Sequence, residues 1–287
     1  MYSGRKYRLC VFAYLDIIGF KSIISAIGDD NEKAIEFINK LKNLMDGCEK
    51  TITIYKELGC QYQIFSDSIC VWCYIDEDEH FTDKYSREYF EKCYTAVAGI
   101  TMIVASIQRQ GVLFYDLLFR GGISIGYHYH EGNVTLSQAL VKAYIAESSL
   151  SVFPRVILLM FDDRCILTGL ADSLASSGFV TIDDCIYNNG AESDIAFVDY
   201  CGSAYGCFLF DEQTISSFLD KHKTLITKSL IESAKDKKVL LKYVWLACYH
   251  NSKIRSGYEK YLIDLSEYEQ YYDDIERLIY DTDYKII

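Results

Sequence analysis

Two aspartates carry the most chemistry in this sequence. Asp16 closes the apolar run of residues 9–15, and Asp67 interrupts two apolar stretches in the segment Ser66-Asp67-Ser68. No basic residue stands near Asp16 in sequence before Lys21, and a carboxylate buried among apolar side chains has to be neutralised by something. Two such carboxylates brought together repel each other unless a cation lies between them. A hard divalent ion held by oxygen ligands, with phosphates completing its shell, meets that need. A plainer role, capping a helix or a turn, stays open for both. After Asp16, the segment Ile17-Ile18-Gly19-Phe20 leads toward a helix, so its backbone N–H groups are free to face a triphosphate. Arg120 stands at the mouth of Gly121-Gly122-Ile123-Ser124-Ile125-Gly126. It can clamp a phosphate bidentately or pair as a strand-end arginine with an acidic surface. His128 and His130 share a strand face at period two, where they could bind a metal, but an exposed hairpin edge is the expected setting. The lone Cys70-x-x-Cys73 has no second pair at zinc spacing and reads as buried strand. Walker, dinucleotide-binding and nucleophile-elbow glycine patterns are absent.

The elements that must position these residues follow from the apolar periodicity. Residues 9–15 read as a strand buried on both faces, broken at Gly19. After Asn31, the apolar residues Ala34, Ile35, Ile38, Leu41, Leu44 and Met45 recur at helical spacing. Residues 62–65 and 69–75 predict two strands around a tight polar turn. An acidic loop, residues 76–79, leads to a long helix through about Gln110. A glycine-bearing strand over 118–130, a helix over 137–149 and a strand over 155–161 follow. This order predicts an α/β (α+β) fold, a ferredoxin-like sandwich with helices on one face of an antiparallel-rich sheet. Beyond about Asp211 the pattern turns helical, over residues 218–249 and again over 262–279. The expected organisation is a body of residues 8–210 and a helical C-terminal extension, 211–287, packed on it.

Composition narrows the function classes. The 287 residues are 50% hydrophobic and 24% charged, enough for a packed core. The net charge of −12 argues against DNA as a partner, because counterion release needs excess positive surface. A nucleotide with its own divalent metal is not excluded. The uncharged run of residues 93–108 is shorter than the ~20 apolar residues of a membrane helix, so no membrane insertion is expected. The 11 cysteines show no framework spacing and read as reduced, small core residues of a cytoplasmic protein.

Taken together, Leu15-Asp16-Ile17-Ile18-Gly19-Phe20, Phe65-Ser66-Asp67-Ser68-Ile69 and Arg120-Gly121-Gly122-Ile123-Ser124-Ile125-Gly126 resemble the class III nucleotidyl cyclase homology domain. More closely, the chain resembles the Pycsar pyrimidine nucleotide cyclases of bacterial antiphage defence. The similarity extends to Gln138-Ala139-Leu140-Val141-Lys142-Ala143-Tyr144 with Glu147. In the tail it reaches Lys242-Tyr243-Val244-Trp245-Leu246-Ala247 and Tyr249-His250-Asn251.

The resemblance implies a metal-dependent enzyme making a 3′,5′-cyclic pyrimidine mononucleotide and pyrophosphate from UTP or CTP. Asp16 and Asp67 would bridge two ions, Mg²⁺ or Mn²⁺, with the Ile17 carbonyl as a further ligand. Asp16, Asp67 and Arg120 would be the catalytic set, and the Gly19-Phe20 turn would receive the β and γ phosphates. Relatives of this type are homodimers with active sites at the interface, so Arg120 would serve the partner's substrate. The product would switch on a separate effector. Purine cyclases carry a lysine where Gln63 aligns here, beside Tyr62, and an amide both donates and accepts. Their helical asparagine and arginine align with Leu140 and Tyr144, leaving charge stabilisation to Arg120 or Lys142. Uridylate cyclase is the first reading and cytidylate cyclase the near alternative. A purine cyclase and a catalytically silent nucleotide-binding module are the rivals.

Overall fold

The computed structural model describes residues 7–54, 59–75, 87–159, 176, 180–181, 196–207 and 210–283. Its framework is a mixed sheet of eight strands. β1 (Arg8–Ile17) is followed by α1 (Phe20–Ile27) and α2 (Asn31–Ile54), then by the hairpin β2 (Gln61–Phe65) and β3 (Ser68–Tyr74). α3 (Arg87–Gln110) leads to β4 (Phe119–Glu131), β5 (Val134–Ser137) and α4 (Gln138–Ile145). The short strands β6 (Val156–Leu158), β7 (Val180–Thr181) and β8 (Ala196–Val198) extend the sheet. Strand order is β2-β3-β1-β4-β6-β8-β7, with β5 paired to β4. Each of the first four strands runs antiparallel to its neighbours among them, and they stand in the ferredoxin-like order; β6 joins β4 in parallel.

Period-two alternation along β1 divides the sheet into two faces. Val11, Ala13, Leu15 and Ile17, with Ile69, Val71 and Cys73, pack in one cluster with α2 and α3 residues such as Leu44, Ile100, Ile103 and Val104. Cys10, Phe12, Cys70 and Trp72 form a second cluster with Ala139 and Ala143 of α4. Helices therefore cover both faces, whereas the sequence pattern predicted one. Cys70 and Cys73 fall on opposite faces and cannot share an ion. The stretch from Arg87 to Tyr115 is long and apolar enough to cross a membrane, more so than the uncharged run alone. It is the central helix of the core here, 78% buried over its most apolar window.

The extension forms α5 (Glu212–Glu232), α6 (Lys237–Lys253) and α7 (Tyr272–Asp283). The segment before α7 is turns and short 3₁₀ pieces, so the last helix begins ten residues later than the periodicity predicts. Trp245 of α6 stacks on Phe153 at 5.1 Å and meets Phe197 of β8 edge-on at 5.6 Å. Tyr258, Tyr268, Tyr271 and Tyr272 turn their rings inward.

A buried polar chain fastens these helices to the end of β8. Tyr200 Oη lies 2.9 Å from His222 Nε2, His222 Nδ1 lies 3.0 Å from His250 Nδ1, and His250 Nε2 lies 2.9 Å from the Tyr261 carbonyl. The carbonyl can only accept, so the His250 proton sits on Nε2. His222 then donates from Nδ1 and accepts the Tyr200 hydroxyl proton on Nε2. Both rings must be neutral for this order. Burial pushes the His222 imidazole well down, with His250 adding to it, and pushes His250 down to about 4.

His128 corrects the expectation of an exposed edge. It is fully buried against Phe12, Trp72 and Tyr74, and neither ring nitrogen has a protein hydrogen-bond partner among the described residues. Burial, with His130 adding to it, pushes its imidazole down to about 4.

Unfolded, an imidazole takes up a proton near pH 6.5, whereas folded His128 and His250 resist protonation until about pH 4. Between these values the unfolded chain binds more protons. Stability is therefore lost as the pH is lowered through this range, by at most about 1.4 kcal/mol per pH unit for each ring. The buried carboxyls of Asp16 and Glu147, shifted upward, oppose part of this loss. The melting temperature is expected to drop between pH 7 and pH 5. His128→Phe, which keeps the ring and removes two unpartnered nitrogens, is expected to flatten that slope without lowering Tm at pH 7. An unchanged slope in the variant would exclude His128 from the titrating set.

Candidate active site

Strand register brings the candidate residues to one end of the sheet. Asp16 stands opposite Ser68 of β3 on one side and Arg120 of β4 on the other, so its side chain projects on the α4 face. Asp67 lies in the two-residue turn between β2 and β3, since Phe65 pairs directly with Ser68. It is a turn residue and does not continue the strand alternation of Gln63 and Phe65. Its neighbour Ser66 has φ 55°, a left-handed conformation that costs an L-residue roughly 1–2 kcal/mol. The Ile17 N–H donates to the Asp67 carbonyl at 3.1 Å, which ties this turn to the end of β1. Tyr14 Oη and Ser68 Oγ share a hydrogen bond of 2.7 Å beneath the two carboxylates.

Asp16 is not without a partner, as its sequence neighbourhood implied. Arg120 Nε donates to Asp16 Oδ2 at 3.1 Å, and the same guanidinium reaches Glu147 Oε1 through Nη2 at 2.8 Å. The second contact is an ion pair without hydrogen-bond alignment. Desolvation raises the Asp16 carboxyl above its ordinary value; Arg120 opposes that shift and the charge of Asp67 adds to it. Desolvation likewise raises Glu147, with Arg120 opposing and Asp16 and Asp67 adding. Lys242 of α6 acts on the same group, since Arg120 and Glu147 both influence it. Three carboxylates thus face two cationic side chains, and negative charge remains in excess.

Small residues place Glu147. A Cβ on Gly122 would strike the Ala143 carbonyl and come within 2.6 Å of the Ala146 Cβ, and one on Gly126 would come within 2.9 Å of the Ala139 nitrogen. Glycines on β4 against alanines on α4 let the helix lie directly on the strand. Ser137 caps α4, its Oγ accepting from the Leu140 N–H at 2.9 Å. A π-helical turn, Ala146–Leu150, then swings Glu147 inward, where only 4% of it is exposed.

The other predicted residues divide. Gly19 is the left-handed N-cap of α1, with φ 77°, and Phe20 begins that helix one turn of backbone beyond Asp16. Phe20 also packs on Phe37. The Ile17 side chain is core, and its peptide lies beside Asp67. Gln63 pairs with Cys70 and so shares the face of Asp16. Tyr62 pairs with Val71 and packs into the helix-covered core on the opposite face, away from the carboxylates. Tyr144 sits edge-on to Tyr14 at 5.6 Å. Glu147 and Lys242 were not among the residues singled out for the site. The one local signal was an acid amid Ala, Ser and Leu on a helix that otherwise faces a sheet.

The donor set fits a hard divalent cation, because carboxylate and carbonyl oxygens are what such ions take. Among the described residues, the one group of three ligating side chains within 4.8 Å of one another is Cys201 with His222 and His250, and both of its histidines are already engaged in the polar chain of the extension.

No protein-family model matches the chain, and no curated protein matches it in sequence. Among solved structures, the adenylyl cyclase CyaB from P. aeruginosa is similar at 14% identity and TM-score 0.41, over 67% of this chain and 93% of that one. The guanylyl cyclase Cya2 is similar at 12% identity and TM-score 0.33, over 68% and 92%. Neither similarity bears on activity.

Gly122→Ala tests the placement of Glu147. Overpacking against Ala143 and Ala146 is expected to cost about 1–3 kcal/mol, read as a lower denaturant midpoint. An unchanged midpoint would show that α4 does not lie this close to β4.

Proposed function

We propose that the protein is a pyrimidine nucleotide cyclase, converting UTP to 3′,5′-cyclic UMP and pyrophosphate. The observation that carries this reading is the meeting of Asp16 and Asp67, far apart in the chain, in an acid-rich cluster beside the left-handed start of α1. The three cyclase-like motifs of the sequence contribute Asp16, Asp67 and Arg120 to that cluster. Asp16, Asp67 and the Ile17 carbonyl would hold two Mg²⁺ or Mn²⁺ ions. When bound, these would acidify the ribose 3′-hydroxyl and neutralise the triphosphate.

The 3′-oxygen gives its proton to solvent water and forms a bond to the α-phosphorus, while the bond from that phosphorus to the β-phosphate oxygen breaks and pyrophosphate leaves. The backbone N–H groups at Gly19 and Phe20 face the β and γ phosphates, and Arg120 supplies charge to the transferring group. Gln63 shares the face of the carboxylates and presents an amide to the base edge. Since an amide donates and accepts, it suits uracil or cytosine by turning over, and cytidylate cyclase is the second reading.

A homodimer with the active sites at its interface fits the apolar residues left exposed around this face: Phe65, Val141, Tyr144 and Ile145. The cyclic product would act as a second messenger in antiphage defence, through a separate effector.

Purified protein incubated with Mn²⁺ and each of the four ribonucleoside triphosphates is expected to give a product with the mass of cyclic UMP from UTP. A purine product alone would overturn the base assignment, and no product from any of the four would leave the fold a silent module. Asp16→Ala and Asp67→Ala are each expected to lower turnover about a hundredfold or more. Both should melt close to the wild-type temperature, because loss of mutual repulsion offsets lost contacts. Turnover surviving both substitutions would sink the two-carboxylate mechanism.

A further inference from the structure

Arg120 and Asp16 raise a difficulty that the cyclase reading has to meet. A cation can take Asp16 only if the guanidinium lets go of it, and a partly buried arginine released without a partner is strongly disfavoured. The structure provides the partner. Arg120 spans two carboxylates, Asp16 at 3.1 Å through Nε and Glu147 at 2.8 Å through Nη2, and Glu147 is far less exposed than Asp16, 5% of the side chain against 17%. Glu147 is fixed by the close seating of α4 on β4 and by the inward π-helical turn, so it cannot follow the guanidinium elsewhere. The second cation near it, Lys242, comes from α6 of the extension.

We infer that Glu147 is a positioning residue that retains Arg120 when Asp16 passes to a cation. The inference rests on the cyclase reading, in that it assumes Asp16 binds a divalent ion. With Glu147 present, freeing Asp16 breaks one charge-assisted hydrogen bond and leaves the guanidinium paired, aimed toward the space where phosphates would lie. Without Glu147 the guanidinium has, among the described residues, Asp16 alone as an ion-pair partner. It then competes with the cation for that carboxylate, and is left half-buried without a carboxylate partner if it loses. Lysine could not substitute for it, since a single ammonium does not span two carboxylates as a planar fork does.

The test is Mn²⁺ binding to nucleotide-free protein, followed by the electron paramagnetic resonance signal of the free ion. Wild type is compared with Glu147→Gln, Arg120→Ala and the double variant, each first shown to be folded by its thermal melt. Glu147→Gln is expected to weaken Mn²⁺ binding about tenfold, the scale of losing one partly buried ion pair. In the Arg120→Ala background the same substitution should change affinity by less than about threefold, which leaves only the direct attraction of its charge for the ion. Arg120→Lys, the milder change, is expected to reproduce the loss seen in Glu147→Gln.

Equal losses with and without Arg120 would overturn the inference while leaving the cation site intact. If the wild type bound no Mn²⁺, or if Asp16→Asn bound it equally well, the cyclase reading itself would fall and take the inference with it.

Discussion

The charge cluster at the end of β1 constrains the rest of this molecule. Asp16, Asp67 and Glu147 gather where the sheet meets α1 and α4, and Arg120 holds two of them from the neighbouring strand. Gathering like charges costs free energy through desolvation and repulsion, and both Asp16 and Glu147 register that cost as carboxyls raised above their ordinary range. A fold selected for stability alone has little reason to bring three acids together. The arrangement makes sense if the excess negative charge is answered by something that comes and goes, and a metal-bound nucleotide is such a thing.

Everything that builds the cluster is backbone geometry. Antiparallel register sets Asp16 between Ser68 and Arg120, and a left-handed serine lets a two-residue turn bring Asp67 back to Ile17. Glycine against alanine allows α4 to approach β4. The opposite face of the sheet is filled conventionally by α2 and α3, with large apolar side chains. Rigidity on that face supports a polar, partly open arrangement on the other.

The C-terminal helices are integral to this support. Their aromatic residues continue the hydrophobic core, with Trp245 seated on Phe153 and Phe197, and their histidines are ordered donor to acceptor from Tyr200 to the Tyr261 carbonyl. Such a chain is satisfied in one arrangement of protons only, so it specifies how α5 and α6 sit against β8. That same seating carries Lys242 into range of Glu147 and Arg120. The extension thus contributes a charge to the cluster as well as covering the sheet.

The sequence by itself determined the strands and helices whose periodicity is local, and the two aspartates, because an acid at the end of an apolar run is conspicuous wherever it lies. β1, the β2–β3 hairpin, α2, α3, β4 and the helical tail all answer to that kind of signal. Tertiary structure alone decided the partners. Asp16 looked unpaired because its arginine arrives from another strand, and His128 looked exposed because the aromatic rings enclosing it come from β1 and β3. Tyr62 and Gln63 are adjacent in sequence yet face opposite ways, which only the pairing register of β2 could assign. Glu147 drew no attention as a site residue for the same reason: neutralisation, burial and repulsion act through space, and chain separation carries no record of them.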